Sequence, residues 1–246
     1  MDKMKKTEAI VLSVRNWGEA DRIVTLFSKE YGKTEAVAYG ARKPRSALAA
    51  SVQLFTQAEM TLAEGKRIDT LKQCHIVRSF RVLREDLTRM AYGSFLTEVC
   101  EVLTMDGERD EELYERLLLL LEMIETRNPR IVALAGALQM MKHGGFGPIT
   151  ERCSACGCAV EGEVFFDRQL GGIVCEACRQ TNSILMRESM RSFIAWLETL
   201  GDGPVEPPRV TGRDMVDTEK LLLSYLTDII DRPLRSLTFI AQLGDT

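Results

Sequence analysis

The stretch TEAIVLSVRNWGEADRIVTLFSKEYGKTEAVAY, residues 7–39, decides the fold of the first third of this 246-residue chain. Short runs rich in β-branched residues alternate there with the turn-forming segments NWGEAD and KEYG. Such runs, bounded by glycine and polar residues, predict strands rather than helices. Two more runs of the same kind follow, so five strands are expected. They are predicted at 7–14, 22–28, 33–39, 54–62 and 68–77.

Five short strands in succession favour a small closed barrel over an open sheet, because closure removes exposed strand edges. The oligonucleotide-binding fold (OB-fold) has five strands, and the loop after strand 1 and the loop before strand 5 frame its binding face. Here these loops are expected at residues 15–21 and 63–67. We therefore predict an OB-fold nucleic-acid-binding domain over residues 1–80.

After residue 80 the apolar residues recur at helical spacing. Residues 109–127 also carry acids in the first turn, and Pro129 stands where a helix can begin. We predict an α-helical domain over residues 81–246, interrupted by a cysteine-rich insert at 150–180, and hence an α+β multidomain fold. The helical segments are predicted at 82–105, 109–127, 129–145, 184–200 and 217–240.

The insert contains two C-x-x-C units, Cys153 with Cys156 and Cys175 with Cys178, separated by 18 residues. This spacing, with a hairpin-like VFFDRQLGGIV between the units, is typical of a zinc ribbon with four thiolate ligands. Four thiolates leave no open coordination position for substrate or water. We therefore predict a structural zinc ion rather than a catalytic one.

Three further cysteines require separate interpretations. Cys158 follows Cys156 by two residues, so it is either a substitute ligand or a half-buried thiol beside the site. A redox function of the C-x-x-C pairs is not supported, because neither pair follows a strand and opens a helix of a thioredoxin-like unit. Cys74 and Cys100 lie in apolar strand-like and helix-like contexts, and we expect both to pack in the core.

The charge is distributed unevenly along the chain. Residues 1–80 hold 14 Lys and Arg against 9 Asp and Glu, whereas the remainder holds 18 against 27, and the formal net charge is −4. Contact with a polyanion is therefore expected in the first third, and the acidic helical part is the expected platform for protein partners. The alternative is a random fluctuation of surface charge.

The loop ARKPRS, residues 41–46, concentrates this positive charge, with no carboxylate between Glu35 and Glu59. Pro44 disfavours a regular helix there. Cations in this loop and in the two framing loops suit a phosphate backbone, and Trp17 or Tyr39 offers an aromatic face to a base. Because aromatic residues are sparse, we expect binding that depends steeply on salt and does not read sequence. The candidate nucleic-acid-binding residues are Arg15, Trp17, Arg22, Arg42, Lys43, Arg45, Lys66 and Arg67.

Sequence signatures of common enzymes are absent. The sequence contains no phosphate-binding G-x-x-x-x-G-K-[ST] loop, no G-x-G-x-x-G after a strand, no H-E-x-x-H and no G-x-S-x-G. We predict that the protein is not an enzyme, and the alternative is a nuclease that uses carboxylates such as Glu19 and Asp21. No apolar run approaches the roughly 18 residues of a membrane helix, and the first residues lack a signal-peptide pattern, so a cytosolic protein is expected.

In this order, the basic barrel, the helical body and the four-cysteine insert resemble the RecO family of bacterial DNA repair proteins, which are recombination mediators. Four segments carry the resemblance, and it spans nearly the whole chain. They are TEAIVLSVRNWGEADRIVTLFSKEYGK (7–33), GARKPRS (40–46), GGFGPITERCSACG (144–157) and LLLSYLTDIIDRPLRSLTFI (221–240).

The resemblance implies binding of single- and double-stranded DNA and annealing of complementary strands. It also implies that the protein works with RecR to load RecA onto DNA coated by single-stranded DNA-binding protein, at the nucleoid in the bacterial cytoplasm. Some family members lack the zinc cysteines, which fits a stabilising role, and this sequence retains all four. The alternative is a zinc-ribbon adaptor that binds proteins without contacting DNA.

Overall fold

The computed structural model describes residues 3–160 and 163–244. The described residues form two compact units, one made of those up to Ala133 and those from Leu234 onward, the other of Leu134–Pro233. Residues 161 and 162 of the predicted insert lie outside the described residues, as do residues 1 and 2 of the first predicted domain and residues 245 and 246 of the second. The domain boundary after residue 80 stays a prediction, because a compact unit can contain more than one domain.

The strands of the first unit form a closed barrel in the spatial order β1-β2-β3-β5-β4, which confirms the predicted five-stranded, OB-like architecture. One half of β1 pairs with β2 and the other half with β4, both antiparallel. Parallel pairing of β3 with β5 at Ala36–Asp69 and Val37–Thr70 completes the closure. The strands are β1 (Met4–Trp17), β2 (Asp21–Ser28), β3 (Gly32–Ala38), β4 (Gln57–Ala63) and β5 (Asp69–Arg78).

The barrel is filled by one face of each strand, as the period of two in a strand requires. On β2, for example, Val24 and Leu26 point into the barrel and are completely buried. Burial of each such side chain contributes about 1.5–3 kcal/mol to folding. The interior cluster consists of Ala9, Val11, Val24, Leu26, Ala36, Ala38, Ala41, Val52, Ala58, Met60, Leu62 and Leu71.

Helices follow the barrel in the first unit, and the side chains before two of them act as N-caps. Asp86 accepts a hydrogen bond from the Arg89 amide, and Asp110 accepts one from the Leu113 amide. At the start of the last helix, the amides of Arg235 and Ser236 donate to the Glu98 carboxylate. These helices are α1 (Arg81–Glu85), α2 (Leu87–Leu103), α3 (Glu111–Thr126) and α7 (Arg235–Gly244), and α4 (Pro129–His143) continues into the second unit.

Helix α3 packs against the outer side of the barrel at one end. The rings of Phe27 and Tyr114 lie 6.2 Å apart between their centroids. Beside them, Lys33 Nζ donates to the backbone oxygens of Glu101 and Thr104, at 2.7 and 2.6 Å. The other end of the same barrel side, toward the β1–β2 turn, carries exposed residues such as Trp17, 53% exposed.

The second unit consists of a three-stranded sheet in the order β7-β6-β8, a short 3-10 helix and α-helices. The predicted hairpin of the insert is confirmed by the antiparallel pairing of β6 with β7. No helix in the described ranges is long and apolar enough to cross a membrane. The elements are β6 (Val164–Asp167), β7 (Gly172–Val174), the 3-10 helix Glu176–Cys178, β8 (Ile184–Met186), α5 (Glu188–Glu198) and α6 (Gly212–Ile230).

Three helix predictions need correction. The predicted helix at 82–105 is divided into α1 and α2 at Asp86, which has an extended backbone (φ −116°, ψ 118°) and caps α2 with its side chain. Ile184–Met186, predicted as the start of a helix, forms β8, because β6 offers an unpaired edge and pairs with it from Val164 to Phe166. The predicted helix at 217–240 is broken into α6 and α7. The break follows from Asp231, which has a left-handed φ of 52°, and from Pro233, which has no N–H to donate within a helix.

Candidate nucleic-acid interface and thiolate cluster

The strand register divides the residues of β1, β2 and β3 into rows that alternate between the barrel interior and its outside. The row with Val24 and Ala36 belongs to the core, so the rows next to it point outward. Ile23 and Val37 are buried and form an apolar floor between more exposed neighbours. The outward rows join Arg15 with Ile23 and Val37, Ser13 with Thr25 and Glu35, and Trp17 with Asp21. We call this surface the outer face.

Trp17 and Tyr39 stand at the end of the outer face, on either side of Asp21. Trp17 pairs with Asp21 in the β1–β2 register, and continuing the β2–β3 register by one residue brings Tyr39 opposite Asp21. The amide of Gly40 donates to Asp21 Oδ1 at 2.7 Å and fixes this corner. The side chains of Trp17 and Tyr39 are 53% and 61% exposed. Both aromatic side chains are therefore open to solvent, and their backbone positions are about two strand spacings apart, roughly 10 Å.

Arg15 and Glu35 occupy the middle of the outer face as an ion pair. Arg15 Nη2 lies 3.0 Å from Glu35 Oε1 and 3.3 Å from Oε2. Both side chains are about half exposed, 56% and 45%. Sequence reasoning missed Glu35, although the alternation within residues 33–37 places it on the same side of β3 as Val37. A bound phosphate would have to compete with this carboxylate for Arg15.

The predicted basic loop is anchored on the β1–β2 turn. The amide of Arg42 donates to the Ala20 oxygen at 2.9 Å, and its guanidinium Nη1 donates to the Gly18 oxygen at 3.1 Å. Successive turns, rather than a regular helix, then follow through Pro44. Lys43 and Arg45 are exposed, and neither forms an ion pair with any described residue.

The turn between β4 and β5 brings a further cation to the same face. Its shape requires Gly65, because a Cβ there would stand 1.9 Å from the Ile68 oxygen. Arg67 lines a cavity of about 530 Å³ together with Thr25 and Glu35 of the outer face. Lys66 is exposed at the same turn, and within the described ranges neither cation of this turn forms an ion pair.

The side chain of Arg22 does not share a surface with the other candidate nucleic-acid-binding residues. It lies in the row that points inward with Ala38, is half-buried, and donates from Nη1 to the Val52 oxygen at 3.3 Å. Its buried Nε has no hydrogen-bond partner. This side chain supports the chain segment before β4, whereas the other candidates are exposed on the outer face or on its flanking loops.

The carboxylates considered for a nuclease do not form a metal site. Asp21 accepts the Gly40 amide, and Glu19 is exposed in the neighbouring turn. Among residues 3–160 and 163–244, the group with ligand atoms close enough to hold a metal ion consists of four thiols. They are Cys153, Cys156, Cys175 and Cys178, whose sulfur atoms all lie within 4.8 Å of one another.

The spacing of the four sulfurs in this thiolate cluster is compatible with a tetrahedral metal site. Zinc–thiolate bonds of about 2.3 Å place the four sulfurs of such a site roughly 3.8 Å apart. The sulfurs of Cys156 and Cys175 are 3.9 Å apart. Each C-x-x-C unit is closed by a turn, through Gly157 N to the Cys153 oxygen at 2.8 Å and through Cys178 N to the Cys175 oxygen at 3.0 Å. The donors and their spacing therefore fit a four-coordinate, thiophilic ion.

Backbone amides favour the thiolate form of the most buried ligand. Burial opposes ionisation of Cys153, but backbone N–H groups, first that of Cys175 and then that of Cys156, outweigh it and lower the pKa of Cys153 to about 6. A hydrogen bond with the Cys156 thiol raises the pKa of Cys158 to about 12. Metal binding would displace the protons that remain on the ligand thiols.

Cys158 differs from its predicted half-buried state, because its side chain is exposed. Its sulfur lies 3.4 Å from that of Cys156. The expectations for the two remaining cysteines hold: Cys100 is buried, and Cys74 packs in part against the barrel core.

The chain is similar to known proteins along almost its whole length. Residues 1–80 match the family model described as Recombination protein O N terminal, and residues 84–238 match Recombination protein O C terminal. A DNA repair protein RecO from Pelotomaculum thermopropionicum is 35% identical over 244 residues, covering 98% of this chain and 95% of its own. A protein of the same name from Symbiobacterium thermophilum is 36% identical over 244 residues, covering 96% of each.

Proposed function

Because this chain belongs to the recombination protein O family of DNA repair proteins, we propose that it binds single-stranded DNA on the outer face and anneals complementary strands. The observation that carries the proposal is the strand register. It places the exposed aromatic rings of Trp17 and Tyr39 and the guanidinium of Arg15 on one side of the barrel.

Two flanking loops supply the charge that a DNA backbone requires. Arg42, Lys43 and Arg45 stand on one side of the face, and Lys66 and Arg67 stand at the β4–β5 turn. Cations at such positions release counterions from the phosphates they neutralise, which gives affinity for any sequence and a steep salt dependence. The aromatic rings add stacking with unpaired bases.

Annealing follows from the same electrostatics. Two DNA strands repel each other through their phosphates, and a protein surface that neutralises phosphates lets the strands approach. Base pairing then supplies the free energy, and no covalent bond is made or broken. The proposal therefore assigns no catalytic residue.

For the thiolate cluster we propose zinc, bound by Cys153, Cys156, Cys175 and Cys178 in a structural role. Four sulfur ligands within 4.8 Å of one another suit this ion and leave no open position. The small buried core beside the cluster, formed by Cys153, Phe165 and Val174, gives the metal an evident stabilising function.

The family further supports a place in recombinational repair at the nucleoid in the bacterial cytoplasm. There the protein would also bind double-stranded DNA and work with RecR to load RecA onto strands coated by single-stranded DNA-binding protein. The acidic composition beyond residue 80 supports protein contacts outside the barrel, since negative surface charge disfavours DNA.

Fluorescence anisotropy of a labelled single strand, titrated at several salt concentrations, tests the proposed interface. Replacement of Arg42, Lys43 and Arg45 by alanine is expected to weaken binding to all sequences. It should also flatten the slope of log K against log salt by about 0.7 for each phosphate that the variant no longer neutralises.

The matched control replaces Arg209, Lys220 and Arg232 by alanine, which removes the same charges from exposed positions after residue 200. It is expected to retain the affinity and the slope. Equal losses in the two triple variants would indicate a general charge effect. Unchanged binding in the loop variant would exclude the loop from the interface, and no saturable binding by the unaltered protein would favour the adaptor function.

A further inference from the structure

The thiolate cluster has a fifth sulfur at its exposed side. Cys158 lies 3.4 Å from Cys156 between their sulfur atoms, and its thiol is also within hydrogen-bonding reach of Cys175. Its backbone oxygen accepts the Cys153 amide at 3.0 Å. The fifth thiol is therefore held in the same turn as the first C-x-x-C unit.

The two neighbouring sulfurs are candidates for one coordination position. Ligand sulfurs of a tetrahedral zinc–thiolate site are roughly 3.8 Å apart, and a structural site accepts four ligands. Cys156 and Cys158 are closer than that. The sulfurs of Cys153, Cys156, Cys175 and Cys178 all lie within 4.8 Å of one another. Cys158 stands outside that group, beside Cys156 and within hydrogen-bonding reach of Cys175.

Burial identifies this corner as the exchangeable one. Cys153 is buried and Cys175 and Cys178 are half-buried, but Cys156 and Cys158 are both exposed. Gly157, which links them, has a φ of +75°, and no atom lies within 4 Å of the position that a Cβ would occupy. The link between the two exposed cysteines is therefore open to solvent beside its Cα.

We infer that Cys156 and Cys158 are alternative ligands, so that the insert has two complete sets of four thiolates for one metal ion. The inference concerns the metal site alone and does not depend on DNA binding. Its consequence is a site that tolerates loss of its most exposed ligand, for example by alkylation, without releasing the metal.

Four variants of the full chain test the inference: C153S, C156S, C158S and the double variant C156S/C158S. Each is loaded with zinc or cobalt(II), the metal content is measured, and the number of thiolate ligands is read from the cobalt charge-transfer absorption. We expect C156S and C158S to retain one metal ion per chain and a four-thiolate spectrum. C153S and the double variant should show three-thiolate spectra or lose the metal.

Chelator competition quantifies the same comparison. The affinity of C156S should fall by no more than about tenfold, which is the scale of altered surroundings rather than of a missing ligand, and that of the double variant by more than about 100-fold. A C156S protein that binds metal as weakly as C153S, or that fails to fold with zinc present while C158S folds, would overturn the inference.

Discussion

Arg15 donates from one guanidinium nitrogen to both carboxylate oxygens of Glu35, at 3.0 and 3.3 Å, across the centre of the outer face. The pair is exposed, so its own contribution to stability is small. Its effect on the binding of a polyanion is larger, because the carboxylate accepts hydrogen bonds from the guanidinium and repels phosphates. The cations predicted from sequence therefore overstate the positive potential of this surface.

Replacement of Glu35 by glutamine should strengthen binding of single-stranded DNA. The change removes a negative charge from the face and frees Arg15 for a phosphate, which should steepen the salt slope by about 0.7. Anisotropy titrations against salt measure both effects. The matched control, Glu59→Gln on β4, removes the same charge from an exposed position away from Arg15. Equal gains in the two variants would refute a specific role for the ion pair.

Replacement of Trp17 or Tyr39 by alanine should weaken single-strand binding by about 1–3 kcal/mol for each base that stacks. Duplex binding should change less, because paired bases do not offer their faces to a side chain. Competition between single strands and duplexes of equal length, at one salt concentration, gives the ratio of the two affinities for each variant. Phe146→Ala provides a control at another exposed aromatic, 48% exposed. A reduction of the same size on both kinds of DNA would contradict stacking.

Replacement of Tyr114 by phenylalanine should destabilise the packing of the barrel against α3. Tyr114 is fully buried and donates to Glu8 Oε1 at 3.0 Å, and Gln57 Nε2 donates to the same oxygen at 2.9 Å. Loss of a hydrogen bond to a charged acceptor costs roughly 1.5–3 kcal/mol. Denaturant unfolding, followed by circular dichroism, measures this decrease in the free energy of unfolding.

The comparison variant is Tyr225→Phe, which removes a hydrogen bond to a neutral acceptor, the Phe146 oxygen. A smaller cost, about 0.5–1.5 kcal/mol, is expected there. If Tyr114→Phe proves as stable as the unaltered protein, the hydrogen bond to Glu8 contributes nothing to stability and the contribution of Tyr114 comes from packing of its ring.

Acid should destabilise the second unit through Asp214. Hydrogen bonds from the Thr211 hydroxyl and then from Arg187 lower the pKa of this carboxyl from 3.8 to about 2. Because the folded pKa is the lower one, the unfolded chain binds the proton first. The stabilisation is therefore complete above about pH 4 to 5 and is lost as the pH falls toward 2.

Thermal midpoints measured between pH 6 and pH 2 test this linkage. Asp214→Asn should lower the midpoint at pH 6 and make its decline in acid shallower. Asp228→Asn, which removes a half-exposed partner of Arg168, should have a smaller effect on both. An acid profile that is the same with and without the Asp214 carboxyl would show that other groups govern it.

Removal of a metal ion from the thiolate cluster should destabilise the insert and leave the proposed DNA interface intact. Chelation takes away the cross-link between the two C-x-x-C turns, so protease cleavage within residues 150–180 should increase and the thermal midpoint should fall. Binding of single-stranded DNA is expected to remain, since the proposed interface belongs to the barrel. Loss of DNA binding together with the metal would show that the insert takes part in it.

The features that sequence alone predicted are those fixed by local chemistry. β-branched alternation within 7–39 determined the strands, and helical periodicity determined most helices. Two C-x-x-C units determined the thiolate cluster, because each unit brings two sulfurs together within one turn. The cations of residues 41–46 were likewise evident, since glycine and proline mark their segment as a loop.

Tertiary structure decided which of these residues share a surface. Arg22 and Arg15 belong to adjacent strands and carry the same charge, yet the register directs one toward the core row and the other outward. Glu35 lies 20 residues from Arg15 and meets it across β2. Residues 184–186 became a strand because β6 offered an edge. Register and edge pairing depend on hydrogen bonds between distant segments, and no local preference specifies them.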